Sequence, residues 1–389
     1  MSAPLLTLDS LRSRFARQPE SLIDVMDDIA ARFAAFGSLS APATLNAAAR
    51  DLLARCPDPS ILPLWGIPYV VGANVDVAGL PTSAGLPALD FEPDFDAVVI
   101  ERLRTAGALL VGKVPVDPLG LDASADGAVA TVAAGLAVFG IASDRTGAAC
   151  AAAAEDGVVA IKPSPGRVDL DGLFAIAPEL DEIVILATDI AGGTAVRRVV
   201  ERIDPTIQRR TATFARLGLL GKGFFAVARE MAKRLDLATV VVDDALFVEV
   251  AALMADDAWL VLRLDDIAVP LVEMPELFPP YLHRRLSRAL GCPSGDLLRV
   301  QRRLSDLRRR VEAAFAGFDL LFVPPESNLI GFLNACGLAA IALPDGGMLV
   351  AAQGGDDRLA DAAAILADPS LSRSTRPIDI LVSPPLAHR

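Results

Sequence analysis

The chain has 389 residues, which is enough to bury a large core as one α/β domain or two smaller ones. Its formal net charge of −13 and its sequence pI near 4.7 argue against nucleic acid as a partner, because phosphate contacts need a basic surface. Mean hydropathy is high at +0.45, yet the longest apolar run, Ala128 to Ala142, is shorter than the ~20 residues that span a bilayer. We therefore expect a soluble cytoplasmic protein that has no membrane partner.

Cysteine and histidine are sparse. The two histidines are His283 and His388, and the cysteines lack any C-x-x-C spacing. Tetrahedral metal sites need such ligands in clusters, so we expect no metal and no other cofactor. The thiols are expected to be reduced and mostly structural: Cys56, Cys150, Cys292 and Cys336.

The first 60 residues predict helices. Apolar positions recur at helical spacing from Leu5 to Phe15 and from Leu22 to Phe36, and Ala43 to Ala54 is a third helix. Such a segment usually packs along the edge of the next domain or between subunits. The expected division is an N-terminal helical segment over 1–60, an α/β domain over 61–370 and a C-terminal tail over 371–389.

A strand, loop, helix and strand follow in that order. Ile67 to Val71 predicts a strand that enters a loop rich in Gly, Asn and Asp, where side-chain hydrogen bonds replace regular structure. Asp94 to Gly107 has helical periodicity, and Ala108 to Gly112 predicts a buried strand. This order implies a right-handed crossover and parallel pairing of the two strands.

The centre of the chain repeats this arrangement with smaller residues. Ala128 to Ala137 predicts a tightly packed helix, and Val138 to Ala142 predicts a buried strand. A polar turn over 143–147 then leads into an alanine helix from Ala148 to about Glu155. Val158 to Ile161 predicts the next strand.

The turn before the alanine helix has chemical meaning. A glycine turn that enters a helix leaves backbone N–H groups unpaired beside the positive end of the helix dipole. Such a place suits an anion or the oxyanion of an acyl-transfer intermediate. An enzyme would carry its nucleophile at the first helical position, where this chain has Ala148. A methyl group cannot attack a carbonyl.

Several motifs resemble those of the amidase-signature hydrolases, in the same order along roughly residues 60 to 365. G-I-P-Y-V-V-G-A-N-V-D-V-A-G-L-P-T-S-A-G is similar to the family's G-I-P-[FY]-x-[VI]-K-D-N-[IV]-D-V-x-G-x-P-T-[TS]-x-G. A-S-D-R-T-G-A-A resembles its G-T-D-T-x-G-S-x loop, and V-A-I-K-P-S-P-G resembles V-G-L-K-P-T-x-G. Within the family, Val240 to Ile267 resembles the amidase domain of allophanate hydrolase more than other members. The resemblance implies a large mixed sheet between helices.

Family members cleave amides with a serine nucleophile, a bridging serine and a lysine. The resemblance places the lysine at Gly72, the bridging serine at Ala125 and the nucleophile at Ala148, so all three catalytic side chains are absent from these positions. The loop that lines the family's substrate pocket is also shortened, between Asp117 and Asp122. These matches imply a pseudo-amidase that has kept the fold without the reaction.

A remnant pocket is the alternative use of this site. Asp144 and Arg263 could bind a small carboxylate or amide, although loop fixing and a salt bridge are the simpler roles of these two side chains. Ser124, Thr146 and Cys150 are the candidates for a replacement nucleophile. The full candidate set is Asn74, Ser124, Asp126, Asp144, Arg145, Thr146, Gly147, Cys150 and Arg263.

Two functions follow as expectations. The first is a catalytically inactive amidase-like protein that acts as a structural or regulatory subunit, as a homodimer or as a hetero-oligomer with another protein. The second is an amidohydrolase or a small-molecule binding protein with a rebuilt pocket. The arginine-rich segment from Arg284 to Arg310 is interpreted either as a solvated helix face or as a docking face for an acidic partner.

Overall fold

A computed structural model describes most of the chain. The described residues are 6–36, 42–86, 89–118, 127–175, 177, 179–202, 214–220, 225–264, 267–324, 331–344, 346–367 and 381–382.

One mixed sheet forms the centre of the fold. Its strands are β1 (Pro68–Gly72), β2 (Leu109–Val114), β3 (Phe139–Asp144), β4 (Val159–Lys162), β5 (Glu182–Ala187), β6 (Arg216–Leu219), β7 (Ala238–Val242), β8 (Leu320–Val323), β9 (Ala339–Leu343), β10 (Gly347–Ala351) and β11 (Leu381–Val382). The strand order is β11-β7-β6-β8-β10-β9-β4-β5-β3-β1-β2. The expected α/β fold with a large mixed sheet is confirmed.

Both edges of the sheet are parallel and its middle is antiparallel. β1 pairs in parallel with β2 and β3, and β6 pairs in parallel with β7 and β8. Between them, β5 runs antiparallel to both β3 and β4. The predicted parallel pairing of the first two strands is therefore confirmed. Their parallel neighbour β3 brings the central turn to the edge of the sheet where β1 ends.

Helices flank the sheet. They are α1 (Leu8–Arg17), α2 (Ser21–Phe36), α3 (Pro42–Arg55), α4 (Val98–Thr105), α5 (Gly127–Ala133), α6 (Ala148–Glu155), α7 (Ile190–Val200), α8 (Phe225–Leu235), α9 (Ala245–Met254), α10 (Ala268–Glu273), α11 (Pro280–Leu290), α12 (Ser294–Ala314), α13 (Phe332–Ala335) and α14 (Asp356–Ala367). Short 3₁₀ helices cover Asp257–Arg263, Pro275–Leu277 and Phe315–Gly317. No helix in the described part of the chain is long and apolar enough to cross a bilayer.

Two helices are shorter than the periodicity predicts. The predicted helix from Ala128 to Ala137 ends at Ala133, because Gly135 adopts a left-handed φ of 66° and turns the chain toward β3. The predicted helix from Asp94 begins only at Val98. The Asp96 carboxylate instead accepts a hydrogen bond from the Ala78 N–H (2.9 Å), which holds the preceding residues in a turn.

The N-terminal helices share the main core. The buried side chains Leu11, Phe15 and Met26 belong to the same apolar cluster as the central strands. The Phe15 ring lies edge-on against Trp65, with ring centroids 5.5 Å apart. A division at residue 60 therefore marks a change of secondary structure, with the two parts in contact through a shared core.

This shared core predicts a single unfolding transition. Phe15→Ala removes a fully buried ring, and we expect it to lower the free energy of unfolding by about 3–5 kcal/mol. Urea denaturation followed by circular dichroism measures the effect. The control is Phe95→Ala, whose ring is 81% exposed and whose loss should cost less than about 0.5 kcal/mol. A separate early transition in the Phe15 variant would show that α1 to α3 fold independently.

Candidate functional site

Two loops meet at the edge of the sheet where β1 and β3 end. Because these strands are parallel neighbours, with Val71 opposite Ile141, their carboxyl ends lie side by side. The side chain of Asn74 crosses the gap, and its Nδ2 donates a hydrogen bond to Ser143 Oγ at 2.8 Å. The structure thus brings the Gly72 region and the 143–148 turn together, as the motifs predict.

The carboxylate of Asp144 organises this turn. Its Oδ1 accepts hydrogen bonds from the backbone N–H groups of Thr146 (3.1 Å), Gly147 (2.8 Å) and Ala148 (3.1 Å). Asp144 is only 4% exposed, and Gly147 takes a left-handed φ of 92° at the N-cap of α6. These N–H groups are the donors that could have formed an oxyanion site. The loop-fixing role expected for Asp144 is confirmed.

A second set of contacts fixes the same turn from behind. The guanidinium of Arg145 lies 3.2 Å from a carboxylate oxygen of Asp181, and both side chains are almost fully buried. Asp181 in turn accepts the Ala177 N–H at 3.0 Å. The Nδ2 of Asn334 donates to the Asp144 carbonyl (2.7 Å) and to the Leu180 carbonyl (3.0 Å). Arg145 is therefore engaged within the chain, and its main contact is structural.

Ala148 is the first residue of α6 and lies beside this turn. Its backbone N–H is taken by Asp144, and its side chain is a methyl group. Gly72 ends β1 across the loop junction. A Cβ built on Gly72 would lie 3.1 Å from Asn74 Oδ1 and 3.2 Å from Val116 Cγ1, so the space directly above this backbone is already filled.

Cys150 is fully buried under α6. Burial raises the pKa of its thiol well above the ordinary value, and the nearby Asp144 carboxylate adds to that shift. A thiolate is the reactive form of cysteine, so this residue is a poor nucleophile. Cys150 is a core residue in this structure and does not face the turn as an attacking group.

A buried lysine lies close to the same region. Lys162 is fully buried, and its Nζ donates to the Leu338 carbonyl at 3.0 Å. Burial lowers the pKa of Lys162, while the nearby Glu182 carboxylate opposes that shift. Burial also raises the pKa of Glu182 to about 6, with Lys162 acting in the opposite direction. These groups tie β4 to its neighbours, which supports the structural role expected for this lysine.

The loop after β1 is held by a chain of polar side chains. Lys113 Nζ donates to Thr82 Oγ1 (2.9 Å), and the Thr82 hydroxyl donates to Asp76 Oδ1 (2.7 Å). Burial lowers the pKa of Lys113 to about 8, and the Asp76 carboxylate limits that shift. The expected role of Asp76 as support for the turn is confirmed.

Some candidates lie beyond the description. Ser124, Ala125 and Asp126 fall outside the described residues, and of Arg263 only the backbone is described, at the end of a 3₁₀ helix. Thr146 is half-buried beside Asp144. Among the described residues, no group of three His, Cys, Asp or Glu side chains could hold a metal ion.

Sequence reasoning did not select Asp181, Asn334 or Lys113 for this site. Asn334 lies 190 residues from Asp144 in the chain, and no local pattern marks that distance. Lys113 and Thr82 stand in the same matched motifs as Gly72, so their position beside a Gly- and Asp-rich loop was the available signal.

The amidase family model matches residues 20–126 and 123–220, which together span more than half of the chain. The chain belongs to the amidase family. It is 32% identical over 209 residues to a glutamyl-tRNA(Gln) amidotransferase subunit of Desulfosudis oleivorans, which covers 48% of this chain and 43% of that protein. It is 31% identical over 166 residues to urea amidolyase of Saccharomyces cerevisiae, which covers 37% of this chain and 9% of that protein. The match thus spans less than half of each curated relative.

Solved structures show the same amidase fold. A serine-to-alanine variant of Kluyveromyces lactis allophanate hydrolase superposes with a TM-score of 0.81 at 20% identity, over 94% of this chain and 73% of that chain. A second structure is described as an unexpected vestigial protein complex that reveals the evolutionary origins of an s-triazine catabolic enzyme. It superposes with a TM-score of 0.80 at 22% identity, over 95% of this amidase-family chain and 100% of that chain.

The Asp144 contacts predict a stability effect. Asp144→Ala leaves three N–H groups of the turn without their acceptor, and we expect it to lower the free energy of unfolding by about 2–3 kcal/mol. Asp144→Asn keeps an acceptor oxygen and should cost about half as much. Urea denaturation measures both variants. Equal stability of the alanine variant and the unchanged protein would show that solvent replaces these bonds without loss.

Proposed function

We propose that this amidase-family protein does not hydrolyse amides and acts as a structural or regulatory subunit of a protein complex. The observation that carries the proposal is the turn at the start of α6. Its first helical residue is Ala148, and the N–H groups around it are bonded to Asp144. The position of a nucleophile and the donors for an oxyanion are both occupied by groups without catalytic use.

The energetic argument rests on how catalytic groups act. Amide hydrolysis by this class of mechanism needs a nucleophile, a proton carrier and donors aimed at the developing oxyanion. Members of one catalytic unit act together, so the loss of the first already removes most of the rate, commonly by several orders of magnitude. The positions matched to all three side chains of the family carry Gly72, Ala125 and Ala148.

A rebuilt amidohydrolase is the competing function. It would need a new nucleophile, and Cys150 does not suit that role because its thiol is fully buried with a raised pKa. The hydroxyl of Thr146 remains, together with Ser124. Among the described residues, no histidine or lysine forms a hydrogen bond with the Thr146 side chain, so no general base for it is in place.

The names of the relatives support membership of a complex. The matched amidotransferase proteins are named as subunits, and one structural neighbour is described as part of a vestigial protein complex. The chain retains the fold over nearly its whole length while it lacks the side chains of the reaction. We infer that the partner is either another copy of this chain or a second protein.

The first test measures turnover. We expect the purified protein to release no ammonia from allophanate or simple amides above the rate of its own Thr146→Val and Ser124→Ala variants. These variants are the controls, because a rebuilt enzyme would depend on one of these hydroxyls. Ammonia release that is lost in either variant would contradict the proposal and would favour the amidohydrolase.

The second test restores the family's side chains. In the triple variant Gly72→Lys, Ala125→Ser, Ala148→Ser we expect little or no activity, because a Cβ at Gly72 already meets Asn74 and Val116 within 3.2 Å. Ala148→Ser alone is the control for folding, measured by thermal denaturation. Robust turnover of the triple variant would show that the pocket is intact and that only three side chains are missing.

A further inference from the structure

Exposed hydrophobic side chains concentrate in one part of the surface. Of the eleven large hydrophobic residues exposed in the described chain, six lie between residues 269 and 298, and they are Val269, Val272, Met274, Tyr281, Leu290 and Leu298. Val269 and Val272 are 63% and 65% exposed, one helical turn apart on α10. Single exposed apolar residues are ordinary, but a group of this kind marks an interaction surface.

The scaffold beneath this surface is well fixed. A second apolar cluster, separate from the main core, includes Leu271 of α10 together with Leu282 and Leu286 of α11. His283 Nε2 donates to the Leu271 carbonyl at 3.2 Å and joins the two helices. The exposed side chains of α10 and α11 therefore stand on rigid elements, and little conformational entropy is lost when a partner covers them.

The charges of this surface are divided along its length. Glu273 and Glu276 are exposed at the end of α10 and in the following 3₁₀ turn. Arg284 and Arg288 are exposed on α11, where they share a face with Tyr281. Among the described residues, neither glutamate nor Arg284 forms an ion pair within the chain. We call residues 269–290 the α10–α11 surface; its first part is acidic and its second part basic, with apolar residues in both.

We propose that the α10–α11 surface binds the same surface of a second copy of this chain about a two-fold axis. This inference rests on the proposed function, because it names the partner of the complex. In a two-fold contact, residue i meets residue j and residue j meets residue i. A surface with an acidic end and a basic end is complementary to itself in that arrangement. Glu276 of each copy then faces Arg284 of the other.

The physical roles of the two kinds of side chain differ. The apolar residues, with Tyr281 and Met274 among them, supply the area removed from water, which drives association. The charges lie at exposed positions, where each pair adds little affinity but fixes the orientation of the partner. An uncharged or uniformly acidic partner would leave one end of this surface unmatched, so a second copy fits it better.

Two charge reversals test the pairing. Arg284→Glu places two acidic ends together in a self-dimer, and Glu276→Arg places two basic ends together. We expect each variant to dimerise about tenfold or more weakly than the unchanged chain, as measured by sedimentation velocity across a concentration series. Mixing the two variants restores both opposite-charge contacts, so we expect a mixed dimer that forms as tightly as the original.

Matched controls separate this surface from general effects. Val272→Ser should weaken the dimer, whereas Ile61→Ser, at a residue of nearly equal exposure (64%), should not. Arg50→Glu repeats the charge change of Arg284→Glu at an exposed site on α3 and should leave dimerisation unchanged.

Two results would overturn the inference. One is a monomeric chain at all concentrations, and the other is a dimer that neither charge reversal weakens. The readout is mass, so both are separate from the ammonia assay: a dimer through another surface would leave the proposed function in place, and turnover would refute that function whatever the mass.

Discussion

The bonds between the Asp144 carboxylate and the turn into α6 determine what this site can do. A helix begins with N–H groups that have no partner within the helix, and these groups either bind a ligand or are satisfied by the chain itself. Here one carboxylate oxygen accepts three of them, those of Thr146, Gly147 and Ala148. Hydrogen bonds to a charged acceptor contribute roughly 1.5–3 kcal/mol each, so the arrangement is stable without any bound molecule.

The rest of the fold supports that turn from several sides. Asn74 reaches it from the loop after β1, Asn334 from α13, and Asp181 holds Arg145 beneath it. Each contact joins segments that are far apart in sequence, and each donor or acceptor is buried. A loop that was kept for a substrate would need at least some of these groups free. The turn instead acts as a joint between the sheet and the alanine helix.

Much of the architecture could be predicted because it depends on local patterns. The alanine helix from Ala148 to Glu155 is observed with the predicted ends, since alanine favours helix and Gly147 favours the left-handed cap. Asp144 was the expected loop-fixing residue. Asp181 and Asn334 could not be found in this way, because a buried partner 190 residues away leaves no periodic signal. The early end of α5 depends on the φ of Gly135, which composition does not determine.

The two kinds of constraint explain how a fold can outlast a reaction. The main core draws on residues from α1 to α14, so the loss of any one side chain leaves the sheet in place. Catalysis depends on a few atoms in one place, and the methyl group of Ala148 shows how little sequence change removes them. What such a protein offers instead is its surface. The α10–α11 surface combines exposed apolar residues with divided charge on a rigid base, and contact with a partner is the use for which rigidity without catalysis is sufficient.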